Sequence, residues 1–321
     1  MAARSKFVRV TQSIARRMRF SLRFLLLVIT AIAIACGTWI SSAKNQKSTV
    51  ESIRDLGGEV YYSHEMELDN EGIPVPKNKA DPPGPHWLRE QLGIDCFDSV
   101  AFIRLYYAGN SSDWLPGKDS SKLDAAILHY QNQYRDAVSH ALAFSDLQKL
   151  ELLSINVRDE DFLKLAKLKN LRSLWLIRVP TTPGKLANIR NLGLLEELII
   201  GYSGITNADM IHLQKLVNLT RLSLYGENIT DQGLEHLSGL KNLKYLDLRQ
   251  NKLTDESLRH LRNLTNLEEL HLSHSPITGS QLELLDDLPN LRILGLVGCD
   301  IIFERWIKDF QSRNANVLVY R

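Results

Sequence analysis

The strongest constraint on this chain is a leucine pattern that recurs every 24 residues through its second half. Each unit opens with an LxxLx(L/I) stretch, and a unit of this length cannot bury its own apolar face. Neighbouring units must therefore stack and share one continuous core, which predicts a solenoid. The stretches begin at Leu171, Leu195, Leu219, Leu243, Leu267 and Leu291.

The unit that begins at Leu219 shows its predicted elements most clearly. Leu222 and Leu224 alternate as in a short strand, and leucines at helical spacing follow Thr230 and Asp231. Threonine is a favoured helix N-cap, and aspartate suits the positive end of the helix dipole. We therefore predict an α/β solenoid with a curved parallel sheet on the concave face and helices on the convex face.

Two units are predicted to depart from this pattern. An earlier unit, counted from Leu150 to the block at Leu171, spans only 21 residues. The unit at 171–194 places Val179-Pro180-Thr181-Thr182-Pro183 where the turn and helix start belong, and proline restricts the backbone there. Its convex side is predicted to be extended rather than a full helix.

These residues resemble the leucine-rich repeat family over roughly residues 146–302. The Ile-Thr-Asp-x-x-Leu-x-x-Leu motif is similar to the ribonuclease-inhibitor-like subtype, which has a strand and a helix in each repeat. The resemblance implies the solenoid fold. It implies a binding protein in general terms, because a fold hosts functions only through its sites.

The N-terminus has the charge pattern of a membrane-targeting element. Residues 1–23 contain seven basic residues and no acidic one, and residues 24–40 contain no charged residue. We predict that 24–40 is a single-pass transmembrane anchor, that 1–23 is a basic cytoplasmic tail, and that the repeats are exported.

Two alternatives use the same stretch. Ala33-Ile34-Ala35 has the pattern of a signal-peptide cleavage site, which predicts a secreted protein. Cys36 follows directly, as in a bacterial lipoprotein, although Ala33 and Ile34 replace the residues that are usual there. A start at Met18 instead of Met1 would shorten the signal. Each alternative places the repeats outside the cytosol.

The overall charge of +2 hides an acidic exported part. Residues 1–47 hold nine basic residues and no acidic one, which leaves 30 basic and 37 acidic residues, a net charge of about −7, in the rest. Such a surface lacks the basic stripe that neutralises phosphates, so nucleic acid is not predicted as a partner. The cysteines Cys36, Cys96 and Cys299 show no disulfide framework, and Cys299 is predicted to be structural.

The juxtamembrane region 41–108 is predicted to be a small α/β cap. A short helix at 43–56 ends at Gly57-Gly58, and strands are predicted at 59–62 and 100–106. The second strand is predicted to cover the first strand of the solenoid, because an uncovered edge would pair with other chains.

Two further segments complete the predicted organisation. Residues 303–321, after the repeats, are predicted to close the solenoid with a helix and a last strand. Residues 109–145 are predicted to be a linker and an amphipathic helix. The apolar face of that helix contains Leu123, Ile127, Tyr130, Tyr134 and Val138.

With the segments RDLGGEVYY and PGPHWLREQLGIDCFDSV, the chain also resembles membrane-anchored leucine-rich repeat proteins of planctomycete bacteria. That group is known by its arrangement and not by an activity. The resemblance therefore implies a bacterial envelope location and nothing about chemistry.

Catalytic residue types occur in one predicted row of the concave face. Ser223, Asp247 and His271 fall on successive strands, so the aspartate lies between the other two. A hydrolase triad needs the histidine in the middle. His212, His236 and His260 recur on the convex side without partners at ligand spacing, and a solvated stripe is predicted there. No catalytic residue, metal, cofactor or small-molecule substrate is predicted.

The concave face is instead predicted to bind a protein or peptide partner, because exposed aromatic and arginine side chains are typical of interface hot spots. The alternative is that residues 109–145 cover its apolar part and make it internal packing. The predicted partner-binding residues are Trp175, Ile177, Ile199, Tyr202, Arg221, Tyr225, Tyr245, Asp247, Arg249 and His271.

The predicted function is therefore a non-catalytic recognition module tethered to the bacterial envelope. A structural envelope component that uses the solenoid for lateral association is one alternative. A substrate-recognition adaptor of a ubiquitin-ligase-like system is another, although no F-box precedes the repeats and the apolar segment argues against it.

Overall fold

The computed structural model describes most of the repeat region and parts of the N-terminal half. The chain divides into two compact units, residues 1–48 with 84–97 and residues 49–83 with 98–321. The repeats and the elements that cap them belong to the second unit. The described residues are 22–70, 73–77, 80, 82, 98–106, 136–299 and 302–321.

The first described element is a long helix, α1 (Leu22–Asp55), of 34 residues. It joins the predicted apolar stretch at 24–40 and the predicted helix at 43–56 into one element. Gly57, at φ 81°, ends it in the left-handed conformation that glycine adopts without strain. In the described part of the chain, no helix combines the length and the apolar character needed to cross a membrane. The structure therefore does not support the predicted transmembrane anchor.

One sheet of ten strands is present among the described residues. Its edge strand β1 (Glu59–Tyr62) pairs antiparallel with β4 (Val100–Tyr106), and every later pair is parallel and follows chain order. A separate hairpin joins β2 (Met66–Leu68) to β3 (Pro74–Pro76). The parallel strands after β4 are β5 (Lys149–Leu153), β6 (Ser173–Ile177), β7 (Glu197–Gly201), β8 (Arg221–Tyr225), β9 (Tyr245–Asp247), β10 (Glu269–His271), β11 (Ile293–Gly295) and β12 (Leu318–Tyr320).

The strand register shows that the first unit is not shortened. Leu150 lies opposite Leu174, so Leu147 corresponds to Leu171 and the unit spans 24 residues like the others. The predicted 21-residue unit is wrong, because it aligned Leu150 with the first leucine of the next block instead of the second.

The core lies between the sheet and the convex turns. The leucine at the second position of each block lies on the core side of its strand and is fully buried. Burial of a leucine side chain stabilises the fold by about 1.5–3 kcal/mol, and the parallel register stacks these leucines directly on one another. The row contains Leu150, Leu174, Leu198, Leu222, Leu246, Leu270 and Leu294.

The convex elements are shorter than the predicted helices. An α-helix with its side chains is about 10–12 Å wide, whereas parallel strands lie about 4.8 Å apart, so full helices would force the units to splay. Tight 3-10 turns need less room. The α-helices here are α2 (Asp159–Leu165), α3 (Asn207–Met210) and α4 (Leu258–Leu261), and the 3-10 segments are Lys185–Asn188, Asp231–Leu237, Asp255–Ser257 and Leu282–Asp287.

Further elements lie at both ends of the repeat strands. Strand β4 covers β5, with Ile103 opposite Leu150. After the last repeat, helix α5 (Glu304–Arg313) buries Phe310, and β12 forms the far edge of the described sheet. Most of the predicted amphipathic helix, including Leu123, Ile127, Tyr130 and Tyr134, lies outside the described residues. Residues 136–141 are helical, and Val138 is buried.

Candidate functional site

The concave face of the sheet brings the predicted partner-binding residues into ordered rows. Alternate residues of a strand face the same side, and the parallel register aligns them from strand to strand. Trp175 lies opposite Ile199, and Tyr225 lies opposite Gly201. The middle row runs through Glu151, Trp175, Ile199, Ser223, Asp247, His271 and Gly295.

The aromatic part of this face is a packed pair of tyrosines. The rings of Tyr202 and Tyr225 meet edge to face with centroids 5.4 Å apart. Tyr202 is 46% exposed, and its hydroxyl donates to Gln250 Oε1. Edge-to-face pairs of this kind are favourable beyond the area that they bury. The pair therefore presents a fixed aromatic surface to solvent.

Two glycines that were not predicted as site residues make this pair fit. A Cβ at Gly201 would lie 2.3 Å from Cζ of Tyr225, and one at Gly226 would lie 2.3 Å from Cε1 of Tyr202. Each ring thus lies directly on a glycine backbone of the neighbouring unit. Glycine within or next to a strand is a signal for close approach, and these two positions could have been found on that basis.

Trp175 is anchored by a buried carboxylate rather than by apolar contacts alone. Its indole Nε1 donates to Glu197 Oε2 at 2.7 Å, and Ser173 Oγ donates to the same oxygen at 2.5 Å. Lys149 Nζ lies 4.9 Å from the centroid of the Trp175 ring. Arg221 Nε lies 3.7 Å from Glu197 Oε1. The sequence interpretation missed this role of Glu197.

Asp247 forms a second buried carboxylate centre. It accepts from Ser223 Oγ at 3.1 Å, and from Nε and Nη2 of Arg249 at 2.9 and 2.8 Å. His271 instead lies 3.5 Å from Glu269 and beside the Tyr245 ring, with centroids 5.3 Å apart. Asp247 therefore separates the serine from the histidine, as predicted from strand order, and this is not the arrangement of a hydrolase triad.

Ionisation across this face follows from burial and pairing. Burial raises the pKa of the Tyr225 and Tyr245 hydroxyls, so both remain neutral hydrogen-bonding groups at neutral pH. The hydrogen bonds that Arg249 donates to Asp247 raise the pKa of Arg249, which stays charged. The face therefore combines neutral phenols with permanent guanidinium charges.

A third charged cluster lies towards the N-terminal cap. Arg104 donates through Nε to Glu151, and its Nη1 lies 2.8 Å from Glu59 Oε2. Lys149 Nζ lies 3.2 Å from Glu151 Oε1 and 5.3 Å from the Phe102 ring centroid. This cluster connects the cap strands β1 and β4 to the first repeat strand.

The described end of segment 109–145 packs on the convex side. Ser139 Oγ accepts from Lys164 Nζ at 2.5 Å, and Lys164 belongs to the convex helix α2. Residues 107–135 lie outside the described part, so the predicted alternative of a covered concave face stays a prediction for them.

The three histidines of the convex side and Cys299 are, from the sequence, possible metal-binding or reactive groups. His212, His236 and His260 are half-buried, and no group of three potential metal-ligating side chains occurs among the described residues. Cys299 is buried, with Sγ 3.5 Å from the Leu272 carbonyl oxygen, which agrees with its predicted structural role.

Comparisons with known proteins bear on the repeat region. Residues 193–253 match the model described as "Leucine rich repeat", and residues 241–283 match the model "Leucine Rich repeats (2 copies)". The chain is similar to a solved structure, internalin C2 of Listeria monocytogenes, with 24% sequence identity and a TM-score of 0.41. The alignment covers 50% of this chain and 74% of the internalin chain. A search of curated proteins finds no match.

Proposed function

Since residues 193–283 match leucine-rich repeats, and proteins of that family generally mediate protein–protein interaction, we propose that this chain is a non-catalytic recognition module that binds a protein or peptide partner on its concave face. One observation carries the proposal: Trp175, Tyr202 and Tyr225 are exposed or half-exposed, and each is held in place by a glycine or a buried carboxylate of a neighbouring unit.

This fixation matters for binding energy. A loose side chain costs about 0.5–1.5 kcal/mol when a partner immobilises it, whereas Trp175, Tyr202 and Tyr225 already have defined neighbours. Aromatic residues with low ordering cost are those that dominate interface hot spots. The geometry therefore supports recognition better than it supports chemistry, since no triad geometry is present among the described concave residues.

The test is a crosslinking pull-down from native membranes and extracts with the full chain. We expect the Tyr202→Ala/Tyr225→Ala variant to lose a partner that the wild type retains. The Trp175→Ala/Tyr225→Ala variant should lose the same partner, although it also removes a donor from Glu197. Only the first double variant leaves the Glu197 bonds intact, so it separates binding from folding.

The matched control removes apolar groups from the convex side. Ile211 and Val217 are 45% and 51% exposed, and Ile211→Ala/Val217→Ala should leave the captured partner unchanged. The same set of captured proteins in all variants, with unchanged thermal stability, would refute concave recognition. A large loss of stability in Tyr202→Ala/Tyr225→Ala would identify the tyrosine pair as core packing.

Location forms a separate part of the proposal, supported by the charge pattern of residues 1–40 in the sequence. The repeats are exported and retained at a bacterial envelope, through the N-terminal segment or through lipid on Cys36. Protease treatment of intact cells tests it. Digestion of the repeats is expected, and full protection in intact cells but not in lysed ones would exclude export.

A further inference from the structure

Three carboxylates on the concave face are buried, whereas the arginine paired with each is partly or well exposed. This pairing recurs at three places on the sheet. At each place the acidic group lies inside and the arginine lies nearer the solvent, so the exposed charge is positive. The side chains of Glu151, Glu197 and Asp247 are 1%, 6% and 2% exposed, and those of Arg104, Arg221 and Arg249 are 34%, 29% and 48% exposed.

Hydrogen bonds from within the sheet hold these carboxylates in place. Glu197 accepts from Ser173 and Trp175, and Asp247 accepts from Ser223. Arg249 uses Nε and Nη2 on Asp247. A guanidinium has five N–H donors, so an arginine that is fixed through two of its nitrogens still has donors for a second carboxylate.

Tyrosine rings lie between these cations. The Arg221 guanidinium lies 4.3 Å from the centroid of the Tyr245 ring, and that of Arg178 lies 5.8 Å from the centroid of the Tyr202 ring. The charges of Arg178 and Arg249 both act on Tyr225. We call this surface the arginine–tyrosine patch, and it consists of Arg178, Tyr202, Arg221, Tyr225, Tyr245 and Arg249.

The patch is small and has acidic surroundings. It extends from the end of β6 to the end of β9, three strand spacings or roughly 14 Å, which an extended peptide covers with about four residues. The 40% exposed side chain of Glu269 bounds it beyond Tyr245. Residues 48–321 carry a net charge of about −7, so the cationic character is local rather than general.

We infer that the arginine–tyrosine patch binds a short, extended, acidic segment of a protein partner, with carboxylates on the arginines and an apolar or aromatic side chain against the tyrosines. This inference rests on the proposed function and specifies the chemistry of the partner. Buried carboxylates pair with Arg221 and Arg249, the Tyr202 ring lies beside Arg178, and an exposed acid of the partner supplies the opposite charge.

The experiment measures binding of three fluorescein-labelled peptides to the full chain by fluorescence anisotropy. Their sequences are EEYEEYE, QQYQQYQ and KKYKKYK. We expect the acidic peptide to bind at least roughly tenfold more tightly than the neutral one, to weaken as salt rises, and to outcompete the basic one. Equal affinity for the acidic and neutral peptides would overturn the inference.

Variants then locate the binding. Arg178→Gln/Arg249→Gln should raise the Kd of the acidic peptide about tenfold, and Arg178→Gln alone should raise it several-fold with the Arg249–Asp247 pair intact. The matched control, Arg259→Gln/Arg262→Gln, removes the same charge from exposed convex residues and should leave the Kd unchanged. Equal losses in both double variants would show non-specific attraction and overturn the inference.

The two proposals fail separately. If the acidic peptide shows no preference while Tyr202→Ala/Tyr225→Ala still loses its partner in the pull-down, concave recognition stands and the acidic segment is wrong. If the pull-down partner survives that variant but the peptide binds the patch, the proposed function is wrong for that partner.

Discussion

At the scale of single residues, one position shows how a repeat tolerates different chemistry. This position lies in the turn after each strand and is occupied by Glu227 in one unit and by Asn251 in the next, 24 residues later. Asn251 donates to the carbonyl oxygens of Leu224 and Leu248 at 2.6 and 3.0 Å. Glu227, one unit earlier, only accepts, from the backbone N–H groups of the preceding turn at 2.7–2.9 Å. A buried carboxylate thus replaces an amide in the ladder.

Burial makes Glu227 a source of pH-dependent stability. Desolvation raises its pKa above the ordinary value of 4.5, against the lowering effect of the backbone N–H bonds. The folded state therefore holds the proton more tightly than the unfolded state, and stability falls as pH rises from about 4.5 through the raised pKa. We predict that Glu227→Gln removes this part of the pH dependence.

Urea unfolding between pH 4.5 and 8 measures the difference. Glutamine places an amide against backbone N–H groups, so the variant should also be about 1–3 kcal/mol less stable at low pH. The gap between wild type and variant should narrow as pH rises. A gap that is constant or widens with pH would contradict the prediction.

At the single-residue scale, strand alternation predicts which residues share the concave face, but it does not identify the side chains that they contact. Trp175 and Tyr225 are predicted from strand alternation alone. Their supports, Glu197 and Gly201, act through contacts with side chains in an adjacent unit. Such contacts depend on rotamers and on the distance between strands, which periodicity does not specify.

At the scale of elements, the Thr-Asp motif joins units rather than serving its own helix. Asp231 accepts from the backbone N–H and the hydroxyl of Thr254 in the next unit, at 2.8 and 2.7 Å. Asn207 joins the same two groups of Thr230: its Oδ1 accepts from the backbone N–H at 2.9 Å, and its Nδ2 donates to the hydroxyl at 2.7 Å. The predicted role of Asp231 at its own helix dipole is therefore incomplete, because its carboxylate is bonded to its neighbour.

This contact predicts a pair of variants with different outcomes. Asp231→Ala loses both bonds and should lower the free energy of unfolding by about 1–2 kcal/mol. Asp231→Asn can repeat the Asn207 geometry and should stay within roughly 0.5 kcal/mol of wild type. Chemical denaturation compares the two. If Asp231→Asn lost as much as Asp231→Ala, the carboxylate charge and not the bonding pattern would be responsible.

At the scale of the whole molecule, each unit of the solenoid contacts mainly its neighbours. The effects of two substitutions on the free energy of unfolding should therefore depend on each other only when the substitutions lie in adjacent units. Ile205 and Ile229 are fully buried at the same turn position of successive units, and Ile277 lies two units further on. Ile→Val at each position should cost about 0.5–1.5 kcal/mol. We predict additive losses for Ile205→Val with Ile277→Val, and non-additive losses for Ile205→Val with Ile229→Val.

Double-mutant cycles in urea provide the measurement. The distant pair should add within about 0.5 kcal/mol, whereas the adjacent pair should show a larger interaction energy. Coupling of equal size in both pairs would indicate that the solenoid responds as one rigid body rather than as a chain of neighbours.

The sequence by itself determined the repeat period, the parallel order of the strands and the buried leucine rows, because burial in a solenoid depends on position within the unit and repeats with it. Only the tertiary structure showed the alignment of the first unit, the short convex turns and the partners of Trp175, Asp231 and Asp247. These features arise between units, where side chains 22–24 residues apart in the chain meet across a strand spacing of about 4.8 Å. Periodicity specifies which side chains face each other, and packing decides which of them bond.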